Sequence, residues 1–190
     1  MGDKLTLNEL ESELSREIRE LRRNPRAFAD YLQQERRPRY EGRDLKLAHN
    51  TVLKTQEGVA ACDEAIRFLM NAVPLEPFAV AYGMCLAAKE AVGDVGPTGK
   101  VASSPDGICI NKLGKFGEFD EAAVEICSYG GVDAKGLLSA FLICDGEPKR
   151  THRKALFETK WTHIGVGAGD HNSEYKIMAC VCFSKNWRDF

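Results

Sequence analysis

The sequence contains no long hydrophobic run. None of its apolar stretches approaches the roughly 20 residues that a membrane-spanning helix needs. The first ten residues also lack the apolar segment of a secretory signal. The sequence therefore predicts no membrane span and no export, and we expect a cytoplasmic location.

An excess of one charge is also missing. The chain of 190 residues has 26 Lys and Arg against 28 Asp and Glu, a formal net charge of −2. This balance gives no electrostatic reason to expect nucleic acid or another polyanion as a partner. The length and a hydrophobic fraction of 44% instead favour one globular domain of ordinary size with a full core.

Paired cysteine motifs are the third absence. The seven cysteines are an odd number, and no two of them have the CxxC spacing. With no export signal, this pattern indicates reduced thiols. Cys180 and Cys182 alternate with apolar residues, which favours buried structural thiols on one face of a strand. Metal binding by this pair is the alternative, but no second clustered pair exists to complete a site. We expect no metal and no cofactor.

The hydrophobic pattern predicts helices first and a β-hairpin last. Apolar residues recur at helical spacing over 8–35, with a break at Asn24-Pro25, and again over 55–72, 78–92 and 134–144. Residues 36–50 and 100–120 are predicted to be loops. Residues 163–169 and 175–183 alternate as two strands of a hairpin, and the three glycines of the first strand indicate close backbone approach. The fold class predicted is α+β.

One short segment combines the chemistry expected of a functional loop. Asp145-Gly146 is a turn signal, and Pro148 prevents a helix from continuing through it. His152 follows within the same segment. The segment also holds a dense cationic group that could dock an acidic protein surface, formed by Lys149, Arg150, Arg153 and Lys154.

Five motifs occur in order along the chain. They are RRNPRAFA at 22–29, LAAKEA at 86–91 followed by GPTG at 96–99 and Asp106-Gly107, EICSYG at 125–130, DGEPKRTHR at 145–153, and IGVGAGDH at 164–171 followed by VCF at 181–183. With these motifs, the sequence from about residue 21 to residue 183 resembles the CAP superfamily, which comprises the cysteine-rich secretory protein, antigen 5 and pathogenesis-related 1 proteins.

The resemblance implies an α-β-α sandwich, in which helices flank a small antiparallel sheet. Residues 1–20 would be a charged helical extension, and residues 21–190 a single CAP-like domain. Many family members have a cleft with two histidines and two acidic residues that can bind a divalent metal. On this resemblance His152 matches the second histidine, Glu125 matches one acid, and Asp145 stands in for the other.

The first histidine of that cleft has no counterpart, because no histidine occurs between His49 and His152. Two motif positions also differ, since Ile126 replaces an asparagine and Thr151 replaces a glycine. We therefore expect a vestigial cleft that binds no metal and has no catalytic residue. Glu125 and His152 are expected to form a polar contact that joins two loops.

The resulting hypothesis is a non-catalytic intracellular CAP-like protein that acts as a protein-binding or structural component. The basic residues at 149–154 suggest an acidic partner, such as a cytoskeletal surface in a flagellum. The alternative is a residual hydrolase, or a binder of a lipid or another small ligand, that uses the cleft.

Overall fold

The computed structural model describes residues 6–47, 51–101 and 107–190. Its helices are α1 (Leu7–Arg23), α2 (Pro25–Tyr31), α3 (Val59–Asn71), α4 (Tyr82–Val95), α5 (Ile110–Leu113), α6 (Ala134–Ile143) and α7 (Thr151–Phe157). Its strands are β1 (Tyr40–Glu41), β2 (Asp44–Lys46), β3 (Val52–Lys54), β4 (Ala79–Val80), β5 (Gly117–Tyr129), β6 (His163–His171) and β7 (Lys176–Asp189). The predicted α+β class is confirmed.

The predicted helix break at Asn24-Pro25 is confirmed, and its cause is a cap. The Asn24 side chain accepts a hydrogen bond from the backbone N–H of Ala27, and Pro25 occupies the first turn of α2. The start of α1 is fixed in a similar way, because Thr6 and Glu9 form a reciprocal capping box.

The N-terminal helix belongs to the core rather than extending from it. Leu10, Leu14 and Ile18 are at most 4% exposed and pack in the same cluster as Leu21. The structure therefore has no division between residues 20 and 21, which lie within one helix. The helix also covers the edge of β6, because the Glu11 carboxylate accepts a hydrogen bond from the backbone N–H of Ala168 at 3.0 Å.

The main sheet has the strand order β4-β6-β7-β5. The hairpin of β6 and β7 is antiparallel and confirms the prediction for the last third of the chain. The sheet is mixed rather than wholly antiparallel, since β4 joins β6 in parallel through two residues. Helices cover both faces: α1, α2, α3, α6 and α7 share one core with the sheet, while α4 and the region of α5 share the other. This arrangement is a helix–sheet–helix sandwich.

Glycines in β6 bring α4 against the sheet, as their spacing predicted. A Cβ atom on Gly165 would lie 2.3 Å from the carbonyl carbon of Met84, and one on Gly167 would lie 2.4 Å from that of Ala88. The helix backbone therefore rests directly on the strand backbone.

Several predicted loops contain regular structure. The loop predicted for 36–50 includes β1 and β2, which form a small antiparallel sheet with β3; residues 48–50 lie outside the described residues. The loop predicted for 100–120 includes α5 and the start of β5, and its residues 102–106 also lie outside. These elements are too short and polar to show hydrophobic periodicity. Within the described residues, no helix has the length and apolar character that crossing a membrane requires.

Candidate functional site

The segment from Cys144 to Arg150 is a compact turn that joins α6 to α7. Its backbone enters the left-handed region at Cys144 (φ 48°), Gly146 (φ 76°) and Arg150 (φ 51°). The Arg150 Nη1 atom donates to the carbonyl oxygens of Cys144 at 2.7 Å and Glu147 at 3.1 Å. The guanidinium group thus closes the turn from the inside, and α7 begins at Thr151, directly after it.

Arg150 also connects this turn to α3 through ion pairs. Its guanidinium makes two hydrogen bonds of 2.6 and 2.7 Å to the carboxylate of Glu57 and one of 2.8 Å to Glu64. The hydrogen bonds from Arg150 lower the pKa of Glu57 to about 2, and they lower the pKa of Glu64 as well. Planar two-point contacts of this kind are the strongest that arginine makes with a carboxylate.

The prediction of a cationic docking patch at 149–154 is wrong for its two arginines. The side chain of Arg150 is 11% exposed and that of Arg153 is 4% exposed. Arg153 donates to the carbonyl oxygen of Leu142 at 2.6 Å and to Glu64 at 3.0 Å. Both charges are therefore neutralised inside the protein. Lys149 and Lys154 are exposed.

Asp145 holds the chain that leads into α3. Its carboxylate accepts hydrogen bonds from the backbone N–H groups of Gln56 at 2.7 Å and Glu57 at 2.8 Å. In return, the backbone N–H of Gly146 donates to Glu57 at 2.8 Å. These contacts join two segments that are distant in the sequence, since Asp145 and Glu57 are 88 positions apart. The observed role of Asp145 is to anchor backbone.

Glu125 is a fully buried carboxylate that also binds backbone. It lies in β5, is 0% exposed, and accepts hydrogen bonds from the N–H groups of Ile108, Cys109 and Ile110 at 2.8 to 3.0 Å. These three residues lead into α5, just after the segment that by resemblance would carry the first histidine of a CAP cleft. Glu125 therefore fixes the backbone at residues 108–110.

His152 lies in α7, on the other side of the sheet from Glu125. Its ring meets Phe141 edge-on with the ring centres 5.7 Å apart, and burial lowers its pKa. Phe141 belongs to the same core as Ile126, the neighbour of Glu125 in β5. Since adjacent strand residues point to opposite faces, Glu125 faces away from His152. The polar contact predicted between Glu125 and His152 is not formed.

The structure gives His152 other neighbours, which the sequence did not indicate. A ring nitrogen of His152, the Cys144 sulfur and a Glu147 carboxylate oxygen all lie within 4.8 Å of one another. Cys144 is buried, whereas Glu147 and His152 are half-buried. Cys144 ends α6 in a left-handed conformation that usually takes glycine or asparagine, a feature that only the structure reveals.

Cys180 and Cys182, on the opposite face of the sheet, are buried as predicted. Both are 0% exposed and lie in a core with Cys109 and Cys127. Hydrogen bonding to Cys109, together with burial, raises the pKa of the Cys180 and Cys182 thiols. Buried thiols with a raised pKa remain protonated and are poor nucleophiles.

No protein-family model matches the sequence, and no curated protein matches it. Among solved structures, the chain is similar to an outer surface protein from Borrelia burgdorferi. The two are 17% identical and superimpose with a TM-score of 0.53 over 98% of this chain and 99% of the other. At this identity the similarity concerns the fold, and it extends over nearly the whole chain.

Proposed function

We propose that this chain is a CAP-like protein that does not catalyse hydrolysis and acts as a protein-binding or structural component. The order of the sequence motifs supports the CAP-like character. Two observations favour binding over hydrolysis: no histidine occurs between His49 and His152, and Glu125 faces away from His152. A carboxylate can orient a catalytic imidazole only within hydrogen-bond reach.

The segment 68–82, which runs from the end of α3 to the first residue of α4, is the surface that supports protein binding. Val73 is 74% exposed and Tyr82 is 73% exposed. Within the part of the chain that the structure describes, five of the eleven exposed large apolar side chains fall in residues 68–82, namely Phe68, Met70, Val73, Val80 and Tyr82. A contiguous exposed apolar patch is typical of an interaction site, and we propose that these side chains contribute to one.

This segment is held rigidly although its side chains point to solvent. The carbonyl oxygen of Arg22 accepts a hydrogen bond from the N–H of Leu75 at 2.7 Å, and the Arg22 Nε atom donates to the carbonyl of Glu76 at 2.8 Å. Pro74 and Pro77 restrict the backbone further. A surface that is already ordered loses little conformational entropy when a partner binds.

The proposed partner is therefore a protein that offers a complementary apolar surface. The acidic cytoskeletal partner expected from the sequence depended on a basic patch, and Arg150 and Arg153 are neutralised by Glu57 and Glu64 instead. The exposed apolar segment at 68–82 takes the place of that patch as the contact surface.

The test compares the size of the native assembly for three forms of the protein. The wild type, a Val73→Glu/Tyr82→Glu double variant and a Val132→Glu control would each be expressed in the native cell. Val132 is 72% exposed and lies outside the segment, so it is a matched control. Size-exclusion chromatography of gentle extracts would be compared with that of the purified chains.

We expect the wild type and Val132→Glu to elute from extracts as a complex larger than the purified chain. The double variant should elute at the size of the purified chain, with an unchanged melting temperature. Elution of the wild type at the purified size, or retention of the double variant in the complex, would contradict the proposal.

A further inference from the structure

We propose that Cys144, Glu147 and His152 form a binding site for a zinc ion. Their ligand atoms lie within 4.8 Å of one another, although the residues come from the end of α6, the turn and α7. Thiolate sulfur, imidazole nitrogen and carboxylate oxygen are the three ligand types that zinc takes from proteins. Three protein ligands leave a fourth tetrahedral position for water.

The separations are close to those that zinc requires. Zinc lies about 2.0–2.3 Å from nitrogen, oxygen and sulfur ligands, so two ligand atoms of a tetrahedral site are about 3.5 Å apart. The three ligand atoms, which lie within 4.8 Å of one another, must therefore move about 1 Å closer together when zinc binds. Glu147 is half-buried, so its side chain can rotate toward the other two.

The hydrogen bonds of Glu147 fit this role. Its Oε1 atom accepts a short bond of 2.6 Å from Thr151 Oγ1, while its Oε2 atom accepts a longer bond of 3.1 Å from the Thr151 N–H. Oε1 can remain with the hydroxyl and orient the carboxylate, and Oε2 can bind the metal. Outer hydrogen bonds of this kind orient the ligands in zinc sites.

The backbone around the site is ordered before any metal binds. Arg150 donates to the carbonyls of both Cys144 and Glu147, and Asp145 between them is held by the N–H groups of Gln56 and Glu57. Cys144 adopts φ 48°, a conformation that costs a cysteine more than a glycine. A metal-binding sulfur gives a reason for a cysteine at this position.

Zinc binding involves a proton but no electrons. The Cys144 thiol donates a hydrogen bond to the carbonyl oxygen of Phe141 at 2.9 Å. On binding, the S–H bond breaks, the proton passes to bulk water, and the sulfur forms a bond to the metal. The ion then links the end of α6 to the first turn of α7. Glu125 takes no part, because it lies on the other face of the sheet.

Cobalt(II) is a spectroscopic probe for this site. The full chain, fully reduced and treated with a chelator, would be titrated with Co²⁺ alone and then with Zn²⁺ as a competitor. Thiolate ligation gives a charge-transfer band in the near ultraviolet, and tetrahedral cobalt gives visible ligand-field bands. The variants are Cys144→Ser and His152→Gln, with Cys62→Ser and His163→Gln as matched controls from other parts of the fold.

We expect the wild type and both controls to bind one Co²⁺ that Zn²⁺ displaces. Cys144→Ser should lose the charge-transfer band, and His152→Gln should weaken binding at least about tenfold, since even outer-shell changes cost 10–100-fold. Circular dichroism would establish that each variant is folded. If Cys144→Ser does not fold, the affinity of His152→Gln for Co²⁺ still tests the proposal.

Either of two results would overturn the proposal. The first is the absence of saturable binding by the wild type. The second is a charge-transfer band that survives in Cys144→Ser, which would assign the metal to other thiols, such as Cys109 with Cys180.

Discussion

Glu125 is a buried residue whose observed contacts are with backbone. By resemblance it matches an acidic residue of the CAP cleft, yet its carboxylate accepts hydrogen bonds from three consecutive backbone N–H groups, beginning with Ile108. A buried carboxylate with three donors has little capacity left to bind substrate or orient a base. The hydrogen bonds to backbone therefore account for a buried carboxylate at position 125.

Replacing Glu125 with glutamine should therefore reduce stability. The amide keeps one acceptor oxygen but turns an NH₂ group toward backbone donors, so we expect a loss of about 2–3 kcal/mol in the free energy of unfolding. Urea denaturation measures this loss, and hydrogen exchange should show faster exchange at residues 108–110. Glu118→Gln, an exposed position on the same strand, should change stability by less than about 1 kcal/mol. A stable Glu125→Gln protein with full protection at 108–110 would contradict this role.

At the scale of elements, the contact between α4 and β6 depends on the absence of side chains. Every second residue of β6 from Gly165 to Gly169 is a glycine that faces α4, while Ile164, Val166 and Ala168 face the other core. The strand thus packs large side chains on one face and bare backbone on the other. This asymmetry lets the backbone of α4 pack directly against the backbone of β6.

Gly167→Ala should accordingly be strongly destabilising. The new Cβ atom would lie 2.4 Å from the backbone of Ala88, so helix and strand must separate. We expect a loss of about 3 kcal/mol, at the upper end of the range for overpacked cores, measured as a lowered urea midpoint. Gly93→Ala is the matched control, because a Cβ at Gly93 meets no atom within 4 Å. Alanine stabilises a helix by up to about 1 kcal/mol relative to glycine, so this variant should not lose stability. Equal stability of the two variants would show that the packing is not tight.

For the whole molecule, the features predicted correctly are those with a local signal. The break at Asn24-Pro25 follows from the chemistry of proline and a capping side chain. The terminal hairpin follows from strict alternation, and the approach of α4 follows from glycines at every second position. In each case the physical cause lies within a few residues of the element that it shapes.

The features that were predicted wrongly depend on contacts between distant positions. The four basic residues of 149–154 form a patch in the sequence, but Arg150 meets Glu57, which lies 93 positions earlier. The side chains of Glu125 and His152 were expected to converge, yet the face of a strand is decided by which core forms on each side. Neither fact can be derived from spacing or composition.

The ion pairs of Arg150 with Glu57 and Glu64 should make the stability of the whole molecule sensitive to acid. Arg150 lowers the pKa of Glu57 from 4.5 to about 2 in the folded protein. A carboxyl group whose folded pKa is depressed stabilises the protein above its unfolded pKa. That contribution is therefore complete above about pH 4.5 and is lost as the pH falls toward 2.

Urea denaturation at a series of pH values between neutral and strongly acidic conditions measures this loss. The wild type should lose stability as the pH falls through that window. Glu57→Gln should be less stable than the wild type at neutral pH and should show a shallower fall, because it has no proton to take up there. Glu174→Gln, an exposed position in the turn between β6 and β7, should retain the steep profile of the wild type. Parallel profiles for the wild type and Glu57→Gln would mean that the Arg150–Glu57 pair does not couple folding to pH.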